Sequence, residues 1–352
     1  MIRDPALRFW VEYAEAEGAL CEAEAETAEL ILPPALQRAF GLPETATVTS
    51  DPDVAEEGAL LLAIGHPALD TAAARVLARG DAGRAFLPWP PPSSRASRET
   101  LLANARAAIG IDHGRIDAER DPVPVYYPLL RVGALVTYTL DDRFQECEDV
   151  WVDGCTGCVV SRGIVNAARS QAVSSEREAG VSLVPADLAR AVGAAHAAID
   201  ERAARRASAL ERQAHLGLRD EQQRAESYYD EVLAALEHRR AAAPPERRPL
   251  LEARAEATEL ERRRRLREIA AKFESHRSIA PYRLNLLFAP ALALAVDVRR
   301  GERRYPFTLH WLVGAGCFAP LRCPRCDALE TLVAGRSHLG CRRCATSAQA
   351  RD

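Results

Sequence analysis

The stretch CPRCDALETLVAGRSHLGCRRC, residues 323–344, contains two Cys-x-x-Cys pairs separated by fourteen residues. Pro324 and Gly340 favour tight turns beside the pairs, so each pair forms a knuckle whose two sulfurs point into one pocket. Two knuckles brought together place four thiolates in a tetrahedron, which is the ligand set of a structural Zn²⁺ site. The sequence therefore predicts one Zn²⁺ ion bound by Cys323, Cys326, Cys341 and Cys344.

The spacer between the knuckles, DALETLVAGRSHLG, is long enough for a short hairpin that turns at AGRSH, which is the zinc-ribbon arrangement. Four thiolates close the coordination shell, so we expect a structural metal and not a catalytic one. The ion would stabilise a module that is too small to bury a core of its own. His338 is expected at the surface of this ribbon, and Cys317 as a core thiol.

The composition is that of an ordinary globular protein, with 352 residues of which 48% are hydrophobic and 27% charged. The N-terminal stretch MIRDPALRFW has early charges and no apolar run, so we expect no signal peptide. The most apolar stretch, LNLLFAPALALAV, contains Pro290 and is too short to span a bilayer. Together with an odd number of cysteines, nine, these features favour reduced thiols, a cytoplasmic location and no membrane partner.

The formal net charge of −4 hides an uneven distribution. Residues 1–60 contain thirteen acidic residues and three arginines, whereas residues 299–352 contain ten arginines and four acidic residues. The second segment has the charge to contact phosphate groups. The chain as a whole is not basic enough to coat nucleic acid by charge alone.

The order of residue patterns predicts an α+β fold. Helical spacing occurs in DPALRFWVEYAEAEG and in GHPALDTAAARVLARG, which ends at Gly80. VPVYYPLLRVGALVTYTLDD is rich in strand-forming residues, and RRGERR between apolar runs signals a β-hairpin. The predicted regions are 1–90, a small α/β unit; 91–119, a proline-rich break with a linker helix; 120–185, a β-rich segment; 186–278, a helical hairpin; and 279–352, a β-hairpin followed by the zinc ribbon.

Two apolar seams in residues 186–278 predict two long helices that pack against each other. The motif AAAPPERRP separates the seams and breaks the helix, which favours an antiparallel, coiled-coil-like hairpin. The alternative is a plain helical subdomain packed on the core. The first seam is Leu218, Ala225, Tyr229, Val232 and Leu236, and the second is Leu251, Ala255, Thr258, Leu266, Ile269 and Phe273.

A further group of cysteines, Cys147, Cys155 and Cys158, leaves three interpretations open. The thiols are buried and incidental, or form part of a second metal site without an evident fourth ligand, or are a redox pair. Strand-like sequence flanks the pair on both sides, which is not the strand-to-helix context of a thioredoxin-like site.

Motifs of common enzyme classes are absent from the sequence. There is no Gly-x-x-x-x-Gly-Lys-[Ser/Thr] loop, no Gly-x-Gly-x-x-Gly, no Gly-x-Ser-x-Gly and no His-Glu-x-x-His. The single lysine, Lys272, lies in a predicted helix. The histidines are scattered: His66 is expected to cap the helix that follows it, and His113 and His310 to be structural or surface residues. We therefore expect no enzymatic activity, and no ATP hydrolysis in particular.

The order of several stretches resembles the region that follows the ATPase core in Swi/Snf-type helicase-like ATPases of bacteria and archaea, the HepA class. These stretches are LPPALQRAFGLPETATVTSDPDVAEE, AIGHPALDTAAARVLARG, ESYYDEVLAALEHRR, ELERRRRLREIAAKFESHRSIAPYRLNLL and FAPLRCPRCDALETLVAGRSHLGCRRC. The ATPase lobes of that class are missing, so its motor activity does not carry over. The resemblance implies an accessory module that acts with a separate helicase-like ATPase, with RNA polymerase or with nucleic acid.

Three functional hypotheses follow. The first is a non-catalytic, zinc-stabilised scaffold in nucleic-acid metabolism that binds a protein partner through its charged helices. The second is direct DNA or RNA binding through the basic ribbon, and the third is an unrecognised cysteine-dependent enzyme. The charge runs are also consistent with solvated surface. The residues expected to contact a partner or nucleic acid are Arg262, Arg263, Arg264 and Arg265 on the helices and Arg322, Arg325, Arg342 and Arg343 on the ribbon.

Overall fold

A computed structural model of the protein describes residues 2–56, 58–91, 96–110, 115–118, 120–171, 173–334 and 339–347. The fold mixes helices and sheets, as the sequence predicts, and includes one helix of 55 residues. The chain divides into two compact units, Met1–Asp81 and Ala82–Asp352.

The first unit is built on a four-stranded sheet in the order β1-β2-β3-β4, with β1, β2 and β3 antiparallel and β4 parallel to β3. The strands are β1 (Leu20–Ala23), β2 (Thr27–Ile31), β3 (Thr45–Thr49) and β4 (Leu60–Leu61). The helices are α1 (Pro5–Ala16), α2 (Pro34–Phe40), α3 (Pro52–Glu56) and α4 (Pro67–Arg79).

The two predicted helices of this unit are confirmed, and local sequence sets their ends. The Asp4 carboxylate accepts hydrogen bonds from the backbone N–H groups of Ala6 at 2.9 Å and Leu7 at 2.8 Å, which starts α1. His66 caps α4 as expected, because its Nδ1 accepts from the N–H of Ala68 at 3.1 Å. The predicted apolar face of α1 is buried in the core of the unit: Leu7, Trp10, Val11 and Ala14.

The second unit is built on an eight-stranded sheet. Its main path is β10-β8-β11-β12-β13; β9 also pairs with β8, and β5 and β7 pair with β11. The strands are β5 (Asp81–Phe86), β7 (Arg115–Asp117), β8 (Val123–Thr139), β9 (Arg143–Asp153), β10 (Ser182–Leu183), β11 (His276–Arg300), β12 (Arg303–Leu312) and β13 (Cys317–Phe318).

A small three-stranded sheet and five helices complete this unit among the described residues. The small sheet, in the order β15-β14-β6, consists of β6 (Ile109–Gly110), β14 (Leu332–Ala334) and β15 (Leu339–Cys341). The helices are α5 (Arg98–Ala108), α6 (Arg162–Arg169), α7 (Leu188–Ala242), α8 (Arg248–Lys272) and α9 (Arg342–Ser347).

The start of α7 lies on one face of the large sheet. Ala191, Ala195, Ile199, Ala203 and Ala207 recur at helical spacing and are buried with apolar residues of β8 and β9. Small side chains let the helix axis approach the strands closely, which anchors α7 along this stripe. On another part of the sheet, Ile164 and Ala168 of α6 pack in a separate cluster with residues of β8 and β11.

The remainder of α7 forms the predicted hairpin with α8. A short 3₁₀ turn, Pro245–Arg247, joins the helices, and three ion pairs link them in antiparallel order: Arg240 with Glu252 at 3.2 Å, Asp230 with Arg262 at 3.0 Å, and Glu221 with Lys272 at 2.8 Å. The residues of both predicted seams are buried or half-buried, with Leu236 and Ile269 buried most completely. We refer to residues 211–272 as the helical arm.

Two strands join parts of the chain that the sequence assigns to different regions. β5 falls within the predicted region 1–90, yet it pairs with β11 of the second unit. β6 falls within the predicted linker region 91–119, yet Ile109 and Gly110 pair in parallel with Leu332 and Val333 of β14. The C-terminal ribbon therefore shares its sheet with a segment more than two hundred residues earlier in the chain.

Candidate metal centre

The four cysteines of the C-terminal motif form a cluster. The sulfurs of Cys323, Cys326, Cys341 and Cys344 all lie within 4.8 Å of one another, and the Cys326 and Cys341 sulfurs are 3.6 Å apart. Sulfurs placed about 2.3 Å from a central ion in a tetrahedron are separated by about 3.8 Å. The donor type and spacing therefore fit a metal ion with four thiolate ligands.

Local turns and strands position these cysteines. In the first knuckle, the N–H of Asp327 donates to the carbonyl of Cys323 at 2.9 Å, and the N–H of Cys323 donates to the carbonyl of Ala328 at 2.9 Å. In the second knuckle, Cys341 ends β15 and α9 carries Cys344. β14 and β15 are antiparallel, which confirms the predicted hairpin between the knuckles; its turn lies outside the described residues.

The centre is joined to the core of the second unit. Cys323, Cys341 and Cys344 are buried, whereas Cys326 is exposed. The three buried cysteines belong to one apolar cluster with Leu101 and Ile109 and with residues of β7, β11 and β12. The cysteine motif is therefore part of a larger core and is not a module that folds apart from it.

The electrostatics of the cluster favour a cation. Burial raises the pKa of the Cys323 thiol, but N–H groups of Cys341, Arg325 and Cys326 more than offset burial and lower this pKa to about 6. The neighbouring Cys326 sulfur, together with burial, raises the pKa of Cys344 to about 12. Four sulfurs this close repel one another when ionised, and a bound cation removes that repulsion.

Side chains tie the first knuckle to two distant segments. Arg322 Nε donates to the carbonyl oxygen of Thr156, and its guanidinium also contacts Asp327. Asp327 in turn accepts from Arg190, in the first turn of α7, at 3.0 Å. Asp327 has a left-handed backbone conformation, with φ of 60°, which non-glycine residues adopt at a cost. Arg322, predicted as a partner contact, thus has an internal structural role.

The other predicted cysteines do not form a ligand cluster. Cys147 lies on β9 beside Tyr282, and the Cys155 thiol donates to the carbonyl of Pro185 at 3.4 Å. Within the described residues, the motif of residues 323–344 is the one group of three or more Cys, His, Asp or Glu side chains close enough to share an ion. Burial raises the pKa of Cys155 to about 11 and also raises that of Cys158, which keeps both as weakly nucleophilic thiols at neutral pH.

The predicted contact arginines of α8 all lie in ion pairs. Arg263 pairs with Glu259 at 3.2 Å, and Arg264 and Arg265 pair with Glu268 at 3.0 and 3.5 Å. Arg262 pairs with Asp230 of α7 and is the least exposed of the four. Exposed pairs of this kind contribute little to stability and open at small cost.

On the ribbon, the remaining predicted contacts are exposed. Arg325 lies in the first knuckle, and Arg342 and Arg343 begin α9. The Cys326 sulfur beside the Arg343 guanidinium raises the pKa of Arg343. Cys317 is half-buried on β13, whereas His113 and His338 lie outside the described residues.

Sequence reasoning missed a buried carboxylate in the turn that Arg322 contacts. Asp153 is fully buried, and its Oδ1 accepts from the Tyr127 hydroxyl at 3.0 Å, the Cys155 N–H at 3.0 Å and the Thr156 N–H at 2.7 Å. Asp153 thereby fixes the turn of residues 153–158, whose Thr156 carbonyl holds Arg322. An aspartate followed by glycine, in DGCTGC, is the local signal that indicates such a turn.

No known protein-family model matches the chain, and no curated protein matches it significantly. The resemblance to the helicase-like ATPases therefore stays a prediction. None of the helices in the described ranges combines the length and the apolar character that crossing a membrane requires.

Proposed function

We propose that the chain is a non-catalytic, zinc-stabilised scaffold that binds a protein partner in nucleic-acid metabolism through the helical arm. The observation that carries the proposal is the way the arm extends past the sheet. Beyond Leu210, Leu236 is the one α7 residue buried among those described. A 55-residue helix is about 80 Å long, and only its first part is needed to cover the strands.

Zinc is the metal that the thiolate set favours, because a tetrahedral four-sulfur shell suits Zn²⁺ and leaves no open position for a reaction. The ion would hold the knuckle whose Asp327 contacts Arg190 at the start of α7. In this proposal the metal fixes the base of the helix, and the exposed face of the arm meets the partner. The partner class is a helicase-like ATPase or RNA polymerase, as the resemblance implies.

A shortened arm tests the proposal. Removing residues 221–238 together with 254–271 deletes eighteen residues, five whole turns, from each helix. The deletion keeps the connecting turn and the antiparallel register. We expect the shortened protein to retain one zinc ion and a folded sheet but to lose binding to purified RNA polymerase or to the helicase-like ATPase of the same cell. Equal binding by the parent and the shortened protein would contradict the proposal.

A further inference from the structure

The outer side of α8 carries an apolar stripe that faces solvent. Leu250, Ala253, Ala257 and Leu260 recur at intervals of three and four residues, which places them on one side of the helix. All four are exposed, Leu250 by 73% and Leu260 by 68%. The seam that packs against α7 lies on the opposite side of α8 and is buried or half-buried. We refer to these four residues as the outer stripe; its spacing is that of a coiled-coil contact.

Charged side chains flank the outer stripe on both sides. Arg254 and Glu261 are seven residues apart and lie on one flank, and Glu256 and Arg263 are also seven apart and lie on the other. Among the described residues, Arg254, Glu256 and Glu261 have no ion-pair partner. Arg263 contacts Glu259 in an exposed pair that opens at small cost. The flanks therefore offer charges of both signs to an approaching helix.

We propose that the outer stripe pairs with the outer stripe of a second copy of the chain, with the two α8 helices antiparallel. Ala257 lies opposite Leu260 of the second copy, and two-fold symmetry repeats this layer. In the next layer the aliphatic stem of Arg264 covers Ala253 of the second copy, while its charged group stays in water. A small residue opposite a large one in each layer lets the two helices approach closely.

Charge complementarity identifies the second copy as the occupant. In an antiparallel pair, residues on one flank of a helix meet residues on the same flank of its partner. The register therefore places Arg254 opposite Glu261 of the second copy, and Glu256 opposite Arg263 of the second copy. Symmetry doubles both contacts, so four pairs of opposite charge border the two stripes. A surface built for an unrelated partner has no reason to complement itself in this way.

The same charges disfavour a parallel pair. In that orientation one flank meets the other, and Glu256 would lie opposite Glu261 of the second copy, twice by symmetry. The antiparallel register also keeps the contact within α8, since Arg248 lies opposite Ile269 of the second copy. The overlap of these helices is about 33 Å, or three heptads. The pairing goes beyond the proposed scaffold function, because it joins two scaffolds and leaves the α7 side of each arm free.

The first test measures the mass of the zinc-loaded full chain by sedimentation equilibrium over a range of protein concentrations. The parent should be dimeric at about 100 μM. Leu260→Glu should raise the dimer Kd at least about tenfold, because it places a carboxylate in the central layer. Its melting temperature, measured on the monomer, should stay that of the parent, because Leu260 does not face α7. The matched control is Leu216→Glu, a 66% exposed leucine of α7 outside the stripe, which should dimerise as the parent does.

The second test exchanges charges across the contact. Arg254→Glu and Glu261→Arg should each raise the dimer Kd about tenfold, because each turns two attractive pairs into two repulsive ones. An equimolar mixture of these two variants should associate as tightly as the parent, since every introduced charge then meets an opposite one. The double variant with both substitutions should self-associate for the same reason. Recovery in the mixture is specific to this register.

Failure of this inference is distinguishable from failure of the scaffold proposal, because mass and partner binding are measured separately. A parent that is monomeric at about 100 μM, or equal self-association of the parent and Leu260→Glu, would overturn the inference whatever the shortened arm does. Weak association that the mixture does not restore would also overturn it. If the parent were monomeric and Leu260→Glu lost binding to the polymerase or ATPase, the outer stripe would be a contact for that partner; the inference would be wrong and the scaffold proposal would stand.

Discussion

The Asp149 side chain connects the large sheet of the second unit to the helix α6. Its carboxylate accepts two hydrogen bonds from Arg131 of β8, at 2.8 and 3.1 Å, and contacts Arg169 of α6. Burial raises the pKa of this carboxyl, but the two arginines outweigh burial and hold the pKa below its ordinary value. The paired arrangement links a strand to the helix that covers it.

This depressed pKa predicts a pH dependence of stability. A carboxyl whose pKa is lower when folded stabilises the fold above its unfolded pKa, near 3.8, and that contribution is lost as the pH falls through the folded value. Asp149→Asn should therefore destabilise the protein at neutral pH and progressively less as the pH falls below about 4. Urea unfolding of both proteins across this range measures the difference. A difference that stayed constant with pH would contradict the assignment.

The four-cysteine cluster could be predicted from the sequence because its geometry is local. Two Cys-x-x-Cys knuckles and a hairpin are specified by neighbouring residues, and the structure gathers those four sulfurs. The contacts of Arg322 and Asp327 could not be predicted. They depend on the turn at Asp153 and on Arg190, which are distant in sequence and meet only when β9, α7 and the ribbon pack together.

At the scale of elements, the helical arm follows from side-chain periodicity. Apolar seams and three prolines predicted two antiparallel helices and the residues between them, but left open a plain helical subdomain packed on the core. The alanine stripe at the start of α7 has the same helical period, but nothing in that period shows that a sheet covers it. Periodicity reveals which face of a helix is buried without revealing its partner.

Substitution of Ile269 tests whether the two seams of the helical arm pack against each other. Ile269 is 3% exposed, whereas Arg263 on the same helix has a side chain that is 69% exposed. Ile269→Asp would bury an unpaired charge between the helices and should cost about 3 kcal/mol, while Arg263→Ala should change stability by less than about 0.5 kcal/mol. Circular dichroism during chemical denaturation reports the helical transition. Indistinguishable curves for the parent and Ile269→Asp would mean that the seams do not pack as described.

At the scale of the whole molecule, the second unit is held together by pairings between distant segments. β11 alone pairs with β5, β7, β8 and β12, which are four of the seven other strands of the large sheet. β6 joins the ribbon through a two-residue parallel pairing that no local pattern marks. The regions predicted from the sequence assign these paired strands to different domains. A change in composition along the chain does not show which segments pack together.

Removal of a bound metal should therefore loosen only the segments that share a core with the cysteines. The purified protein is expected to contain one zinc ion per chain, and Cys326→Ser should reduce that content strongly, while Cys317→Ser, which changes a thiol outside the cluster, should not. The cysteines share a core with α5, β6 and the end of β11. Chelation should thus loosen residues 323–344 and, with them, α5 and β6.

Hydrogen exchange followed by mass spectrometry resolves this pattern by segment. Because the helical arm is stabilised by its own seam around Leu236 and Ile269, its protection should persist after chelation. The sheet contacts of α7 at Ala195 and Ile199 should persist as well, since their cluster contains none of the cysteines. If exchange increased only in the ribbon while the protection of α5 stayed unchanged, the shared core would not depend on the metal, and this prediction would be wrong. Loss of exchange protection throughout the helical arm would show that the arm also depends on the metal, which would contradict the prediction.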